Sequence, residues 1–226
     1  MVKSHLKRIN APRTWNIKRK ENRFILRPAP GGQIMEFTLP LHVLFKDMLG
    51  LVKNIREMNY ILKNQKILVD GKPRYSPKHP VGLMDVVEIT ASHEAYRLLI
   101  NEKNLLYAKK TKQPKLKIAR IEKKTLLKKG LMQLNLSDGR NLIVKKDSYK
   151  TGDSLLLELP SQEIKEHLAL EKQATVLLLK GSHVGYTGTV EDIKGSIIKL
   201  AIDSKKIETL KKYALVIGKT KPALEL

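Results

Sequence analysis

The chain has 226 residues, 42% of them hydrophobic, which is enough to bury more than one core, and it carries 44 Lys+Arg against 22 Asp+Glu for a formal net charge of +22. The lack of cysteine excludes a disulfide framework and any Cys-based zinc site. There is neither an apolar signal-peptide core nor an apolar run of membrane-spanning length, so a soluble intracellular protein that meets a polyanion is expected.

The charge is clustered. Residues 1–28 hold Lys3, Lys7, Arg8, Arg13, Lys18, Arg19, Lys20, Arg23 and Arg27 against Glu21 alone. Like charges at this density repel, whereas each can neutralise a phosphate and release condensed counterions. Trp15, the only tryptophan, is placed either to stack on a base or to anchor the segment to the body. The main large apolar residues here are Ile9, Trp15, Ile17, Phe24 and Ile25. They are too few to offset backbone ordering at roughly 1–2 kcal/mol per residue, so the segment is expected to be mobile until a nucleic acid orders it. A second block, from Lys103 to Lys129, sets eleven cations against Glu122 and argues for defined contact surfaces.

After the breaker cluster Pro28-Ala29-Pro30-Gly31-Gly32 the period becomes helical. Leu41, Leu44, Phe45, Met48 and Leu49 make one apolar face behind Pro40, with Gly50 to end the helix. Asn54 reads as the N-cap of a second helix whose apolar face is Ile55, Met58, Ile61 and Leu62 and whose opposite face carries Arg56, Asn59, Tyr60 and Lys63. A strand with an Asp70-Gly71 turn follows, then a strand over 84–90. Beyond residue 93 the pattern predicts strands at 116–121, 131–136, 142–144 and 155–159, with Asp138-Gly139 closing a hairpin, and a short helix over 161–168. Strands at 175–179, 189–193, 197–202 and 213–217 end the chain, the first followed by a turn with Gly181, Gly185 and Gly188. Gly188 is expected where a side chain would clash or φ is positive. No internal repeat is present.

The run LHVLFKDMLGLVKNIREMNYILKNQKILVDGKP resembles the S-four RNA-binding domain of ribosomal proteins, pseudouridine synthases and tyrosyl-tRNA synthetases. The resemblance implies RNA contacts from Lys53, Asn54, Arg56, Tyr60, Lys63, Lys66, Lys72 and Arg74, with the helix N-terminus at Asn54 as a phosphate site. Asn64-Gln65 stands where that domain usually has a glycine. The run VLLLKGSHVGYTGTVEDI resembles a KOW motif, a small β-barrel unit shared by ribosomal proteins and NusG-like transcription factors, and implies loop contacts from Lys180 and His183. Its glycine spacing is not that of a P-loop and leads into a strand.

Together with HLKRINAPRTW, IKRKENRFILRP, PVGLMDVVEI, QLNLSDGRN, YKTGDSLLLELP and EHLALEKQA, these motifs resemble, in order and over the whole chain, the S-four-e family of small-subunit ribosomal proteins of archaeal and eukaryotic type. The resemblance implies an α+β multi-domain chain: a basic extended N-terminal arm (1–38), an S-four RNA-binding domain (39–93), a central β domain (94–172) and a KOW β-barrel (173–226). It implies a structural constituent of the small subunit, in the cytoplasm, whose partners are rRNA and neighbouring ribosomal proteins. His5 and the nine arm cations join the RNA-binding set. No cofactor, metal or catalytic residue is expected. The six histidines lack metal-ligand spacing, and Gly139-Arg140-Asn141 supplies no aspartate of the kind a pseudouridine synthase needs. A KOW-containing elongation factor is the competing binding protein, and it requires a further polymerase-gripping domain.

Overall fold

Strands dominate the computed structural model, which describes residues 5–64, 67–145, 148–202 and 205–225. Of the expected α+β multi-domain class, the structure shows a mostly β chain with several sheets; among the described residues one α-helix reaches ten residues. The chain divides into two compact units, residues 1–99 with 104–115 and residues 100–103 with 116–226.

In the first unit β1 (Leu6–Lys7) pairs antiparallel with β2 (Phe24–Ile25), so the basic segment folds back on itself. The expectation of an extended arm without a place in the fold is overturned for residues 5–28. Trp15 is 1% exposed and its Nε1 donates to the Thr38 carbonyl at 2.9 Å. Arg19 donates to the carbonyls of Ile9, Ala11 and Pro12, and Thr14 O accepts from the Leu106 N–H at 2.7 Å. One buried indole and these bonds supply the ordering energy that a count of apolar residues missed.

β3 (Thr38–Pro40) leads into α1 (Leu41–Val43), which continues as a π-helical turn, Leu44–Met48. Leu41, Val43, Leu44 and Phe45 are all buried, and Gly50 ends the element at φ 66°. α2 (Ile55–Asn64) buries Met58 and Leu62. β4 (Ile67–Val69) and β5 (Lys72–Pro73) join through Asp70 (φ 52°) and Gly71 (φ 73°), a turn with two left-handed residues as an Asp-Gly hairpin requires. β6 (Pro80–Gly82) pairs with β3. β7 (Val86–Ile89) starts two residues later than expected, because Met84 takes φ 67° and the Asp85 carboxylate accepts from the Gly82 N–H.

β8 (Glu94–Ile100) and β9 (Leu106–Lys110) complete the sheet order β5-β4-β7-β8-β9. The expected boundary at 93/94 is therefore crossed by a sheet. β8 pairs along the open edge of β7 from Val86↔Arg97 to Ile89↔Glu94.

The second unit contains two five-stranded antiparallel sheets. β10 (Leu116–Leu126), β11 (Met132–Leu136), β12 (Asn141–Val144), β13 (Ser154–Glu158) and β14 (Ile164–Leu168) form the first, in the order β12-β11-β10-β13-β14. Its core is Ala119, Ile121, Leu134, Leu136, Leu155 and Leu157. β14 replaces the helix expected over 161–168. Gln162 at φ 66° turns the chain, and Leu168 then pairs with Ser154 and His167 with Leu155, covering the edge that β13 would otherwise expose. β15 (Thr175–Leu178), β16 (Thr187–Lys194), β17 (Ile197–Ile202), β18 (Lys205–Leu210) and β19 (Ala214–Gly218) form the second sheet, ordered β18-β17-β16-β15-β19. All five residues of β19 are buried.

Candidate nucleic-acid interface

α2 presents a row made for a polyanion. Met58 and Leu62 face the core, which leaves Arg56, Tyr60 and Lys63 exposed at i, i+4 and i+7, with Tyr60 67% exposed. An exposed aromatic between two cations supplies a stacking face and two phosphate partners along one line. Ile55, expected on the apolar face, is 41% exposed beside this row.

The N-terminus of α2 is already occupied. The Glu57 N–H donates to Asn54 Oδ1 at 3.0 Å, and the Glu57 carboxylate accepts from the Lys53 N–H at 2.7 Å and from Asn54 Nδ2 at 3.0 Å. This reciprocal cap bonds the Lys53 and Glu57 N–H groups and places a carboxylate at the helix N-terminus. Asn54, expected as both cap and phosphate site, is seen here as the cap of α2, with its side chain and that of Lys53 exposed.

The hairpin after α2 exposes Lys72 and keeps Arg74 half-buried, with Tyr75 beside it 66% exposed. Burial first, and then the Arg74 charge, push His79 down to about 4, so its imidazole is neutral at physiological pH. Burial and Lys46 likewise lower His42.

The basic N-terminal segment sorts into two groups. His5, Lys7, Arg13, Lys18, Lys20 and Arg23 are exposed. Arg8 is 3% exposed, paired with Asp47, with its Nε donating to Lys18 O at 2.6 Å. Arg8 and the buried Trp15 are therefore structural residues and not RNA contacts, and Arg19 is engaged with three carbonyls. A cavity of about 310 Å³ brings His5, Arg8 and Arg27 together with Lys46 and Lys78, two cations that sequence reasoning did not single out. Phe24 lines it, 48% exposed, with His5 edge-on at 5.6 Å and the Arg23 guanidinium 5.3 Å from its ring centroid. Lys3 and Lys66 lie outside the described residues.

In the second unit Lys180 and His183 are both half-buried, and His183 Nδ1 lies 2.9 Å from Ser182 Oγ. The second basic block divides between engaged and exposed residues. Lys117 is 1% exposed and pairs with Asp138 at 3.0 Å, and Lys124 donates to Tyr149 O, whereas Lys109, Lys112, Lys115 and Lys123 are exposed.

Comparison with known proteins gives the chain's relatives. A family model described as Ribosomal family S4e matches residues 92–164, and one described as RS4NT (NUC023) domain matches residues 2–32. The small ribosomal subunit protein eS4 of Methanocaldococcus jannaschii is 40% identical, over 99% of this chain and 98% of that protein. Its counterpart of the same name in Methanococcus vannielii is 38% identical with the same coverage. The crystal structure of the 30S ribosomal protein S4e from Thermoplasma acidophilum superposes with a TM-score of 0.70 at 31% identity, covering 81% of this chain and 96% of that one.

Proposed function

The chain belongs to the S4e family of small-subunit ribosomal proteins, and from that premise we propose that it binds and stabilises small-subunit rRNA as a structural constituent of the ribosome, during assembly and in translation. The observation that carries the RNA reading is the Arg56–Tyr60–Lys63 row, three exposed residues opposite the buried Met58 and Leu62. Residues 39–93 act as an S-four RNA-binding module and residues 173–226 as a KOW module. Neighbouring ribosomal proteins complete the partner set, and the site of action is the cytoplasmic ribosome. The protein has no catalytic task in this reading.

The mechanism is electrostatic positioning. Lys and Arg side chains displace counterions from crowded phosphates, and specificity comes mainly from RNA shape. The readings as an elongation factor or as an accessory to an RNA-modifying enzyme gain no support from relatives matched over the full chain. The test is the double variant Arg56→Glu/Lys63→Glu. It should melt as the parent does and lose small-subunit rRNA affinity at physiological salt; a folded double variant that binds normally refutes the α2 assignment. Co-sedimentation with polymerase and not with small subunits would refute the ribosomal reading itself.

A further inference from the structure

A basic cleft of the second unit, a cavity of about 520 Å³, is lined by Arg120, Thr151, Ser196, Lys211 and Lys212 with Glu122 as its one acid, none of them a residue to which the S-four or KOW resemblance assigns an RNA contact. Arg120 projects from β10 and donates through its guanidinium to the Lys212 carbonyl, which ties the segment after β18 to the first sheet. Its Nε is buried without a hydrogen-bond partner. Lys211 is fixed by its backbone, whose N–H donates to Ser196 O at 2.8 Å. Its side chain crosses Gly152 so closely that a Cβ there would lie 2.8 Å from Lys211 Cε and 3.6 Å from Nζ.

The cleft is thus a fixed concentration of positive charge. Among the described residues neither Lys211 nor Lys212 pairs with an acid; the Lys212 ammonium lies over the Tyr213 ring at 5.2 Å from its centroid. Elsewhere in this unit exposed lysines do find carboxylates: Lys165 with Glu158, Lys172 with Asp192, Lys199 with Glu208 and Lys206 with Glu191. Two unneutralised ammonium groups beside a partly buried guanidinium repel one another, and an anion relieves that repulsion. The hydroxyls of Thr151 and Ser196 at the same cleft suit an anion with several acceptor oxygens.

We propose that this cleft is a second RNA seat, in which a backbone phosphodiester sits between Lys211 and Lys212 above the Arg120 guanidinium. The inference rests on the rRNA-binding reading and adds to it a contact on the second unit that the S-four and KOW resemblances do not assign. A phosphate here holds the segment 211–213 and β10 at once.

The test uses the full-length protein and small-subunit rRNA. Lys211→Gln/Lys212→Gln should lower the slope of log K against log salt by about 1.5 units, and Lys211→Arg/Lys212→Arg should restore it. Because the chain has no cysteine, Ser196→Cys carries a benzophenone at a unique place and should cross-link to rRNA on irradiation. An unchanged slope in the Gln variant, or a cross-link to protein alone, overturns the cleft while leaving rRNA binding intact. Saturation by inorganic phosphate at concentrations that leave rRNA affinity untouched also overturns it, in favour of a free-anion site. Failure of the parent protein to bind rRNA at all would instead remove the reading beneath it.

Discussion

Arg8 and Asp47, 39 residues apart, form an ion pair whose guanidinium is buried and whose carboxylate is 9% exposed. A cation of the basic N-terminal segment is thus neutralised inside the first unit, by an acid on the π-helical turn after α1. Breaking a buried pair strands the remaining charge. Asp47→Ala should therefore destabilise the first unit by about 3 kcal/mol, the low end for such pairs, because Glu21 remains 3.5 Å from Arg8. Urea unfolding of the full chain checks this, and equal stability of variant and parent would show that the pair contributes nothing.

Trp15 gives a direct optical test of where the arm lies. With its ring 1% exposed and its Nε1 bonded to Thr38 O, the sole tryptophan should emit at short wavelength and resist iodide quenching in the free protein. Adding rRNA should leave that emission nearly unchanged. Strong quenching by rRNA would mean that a base stacks on the indole after all. Trp15→Ala should cost about 3–5 kcal/mol.

How far the sequence discloses this fold depends on the distance between partners. The helical period gives the helical run that starts at Leu41, and α2, because burial repeats at short spacing, at Leu41 and Leu44 and at Met58 and Leu62; that the first run continues as a π-helical turn from Leu44 is not in the period. The Asp70-Gly71 turn was equally legible, since two adjacent residues carry the whole conformational requirement. Over 161–168, Ile164 and Leu168 fit a helical face at i, i+4 and a strand face at period 2 equally well, and the open edge of β13 decides. The α2 row was readable as the face opposite Met58. The structural roles of Arg8 and Trp15 were not readable, because they depend on Asp47 and Thr38, which only tertiary packing brings near. Asn54 is legible as a cap from its place before the apolar period, whereas the return bond from Glu57 depends on side-chain geometry that spacing does not give.

The hairpin between β11 and β12 carries a pH dependence. Burial pushes the Asp138 carboxyl up, but the Lys117 and Arg140 charges and hydrogen bonds from both outweigh it, leaving Asp138 below its ordinary 3.8. The unfolded chain therefore takes up a proton before the folded one does. The stabilisation is complete above pH 3.8 and is lost as pH falls through the lower folded value. Asp138→Asn should remove this part of the acid limb and, by taking away the carboxylate that the buried Lys117 faces at 3.0 Å, destabilise the second unit by about 3 kcal/mol at neutral pH. Urea midpoints followed from neutral pH into acid would show both effects, and a variant curve parallel to the parent's would exclude the linkage.

Close backbone approach governs the glycines of the turn between β15 and β16 and of the start of β16. A Cβ on Gly188 would lie 2.6 Å from Ile202 Cγ1 and 2.8 Å from the Ala201 carbonyl oxygen, so of the two expected reasons for this glycine the clash is the one that applies. Gly185 is more constrained still: φ is +81°, and a Cβ would stand 2.3 Å from the Asn101 carbonyl carbon and oxygen. Backbone atoms cannot rotate aside as a side-chain end can. Gly188→Val should therefore destabilise the second unit, and Gly185→Ala should do so by at least about 1–2 kcal/mol although alanine adds only a methyl group. As a control, Gly195→Ala has the same sign of φ, +60°, but nothing within 4 Å of its Cβ, and should cost less than Gly185→Ala. Thermal melting of the three variants ranks them. If Gly195→Ala and Gly185→Ala melt together, positive φ alone sets the cost, and the contact with Asn101 does not hold the turn.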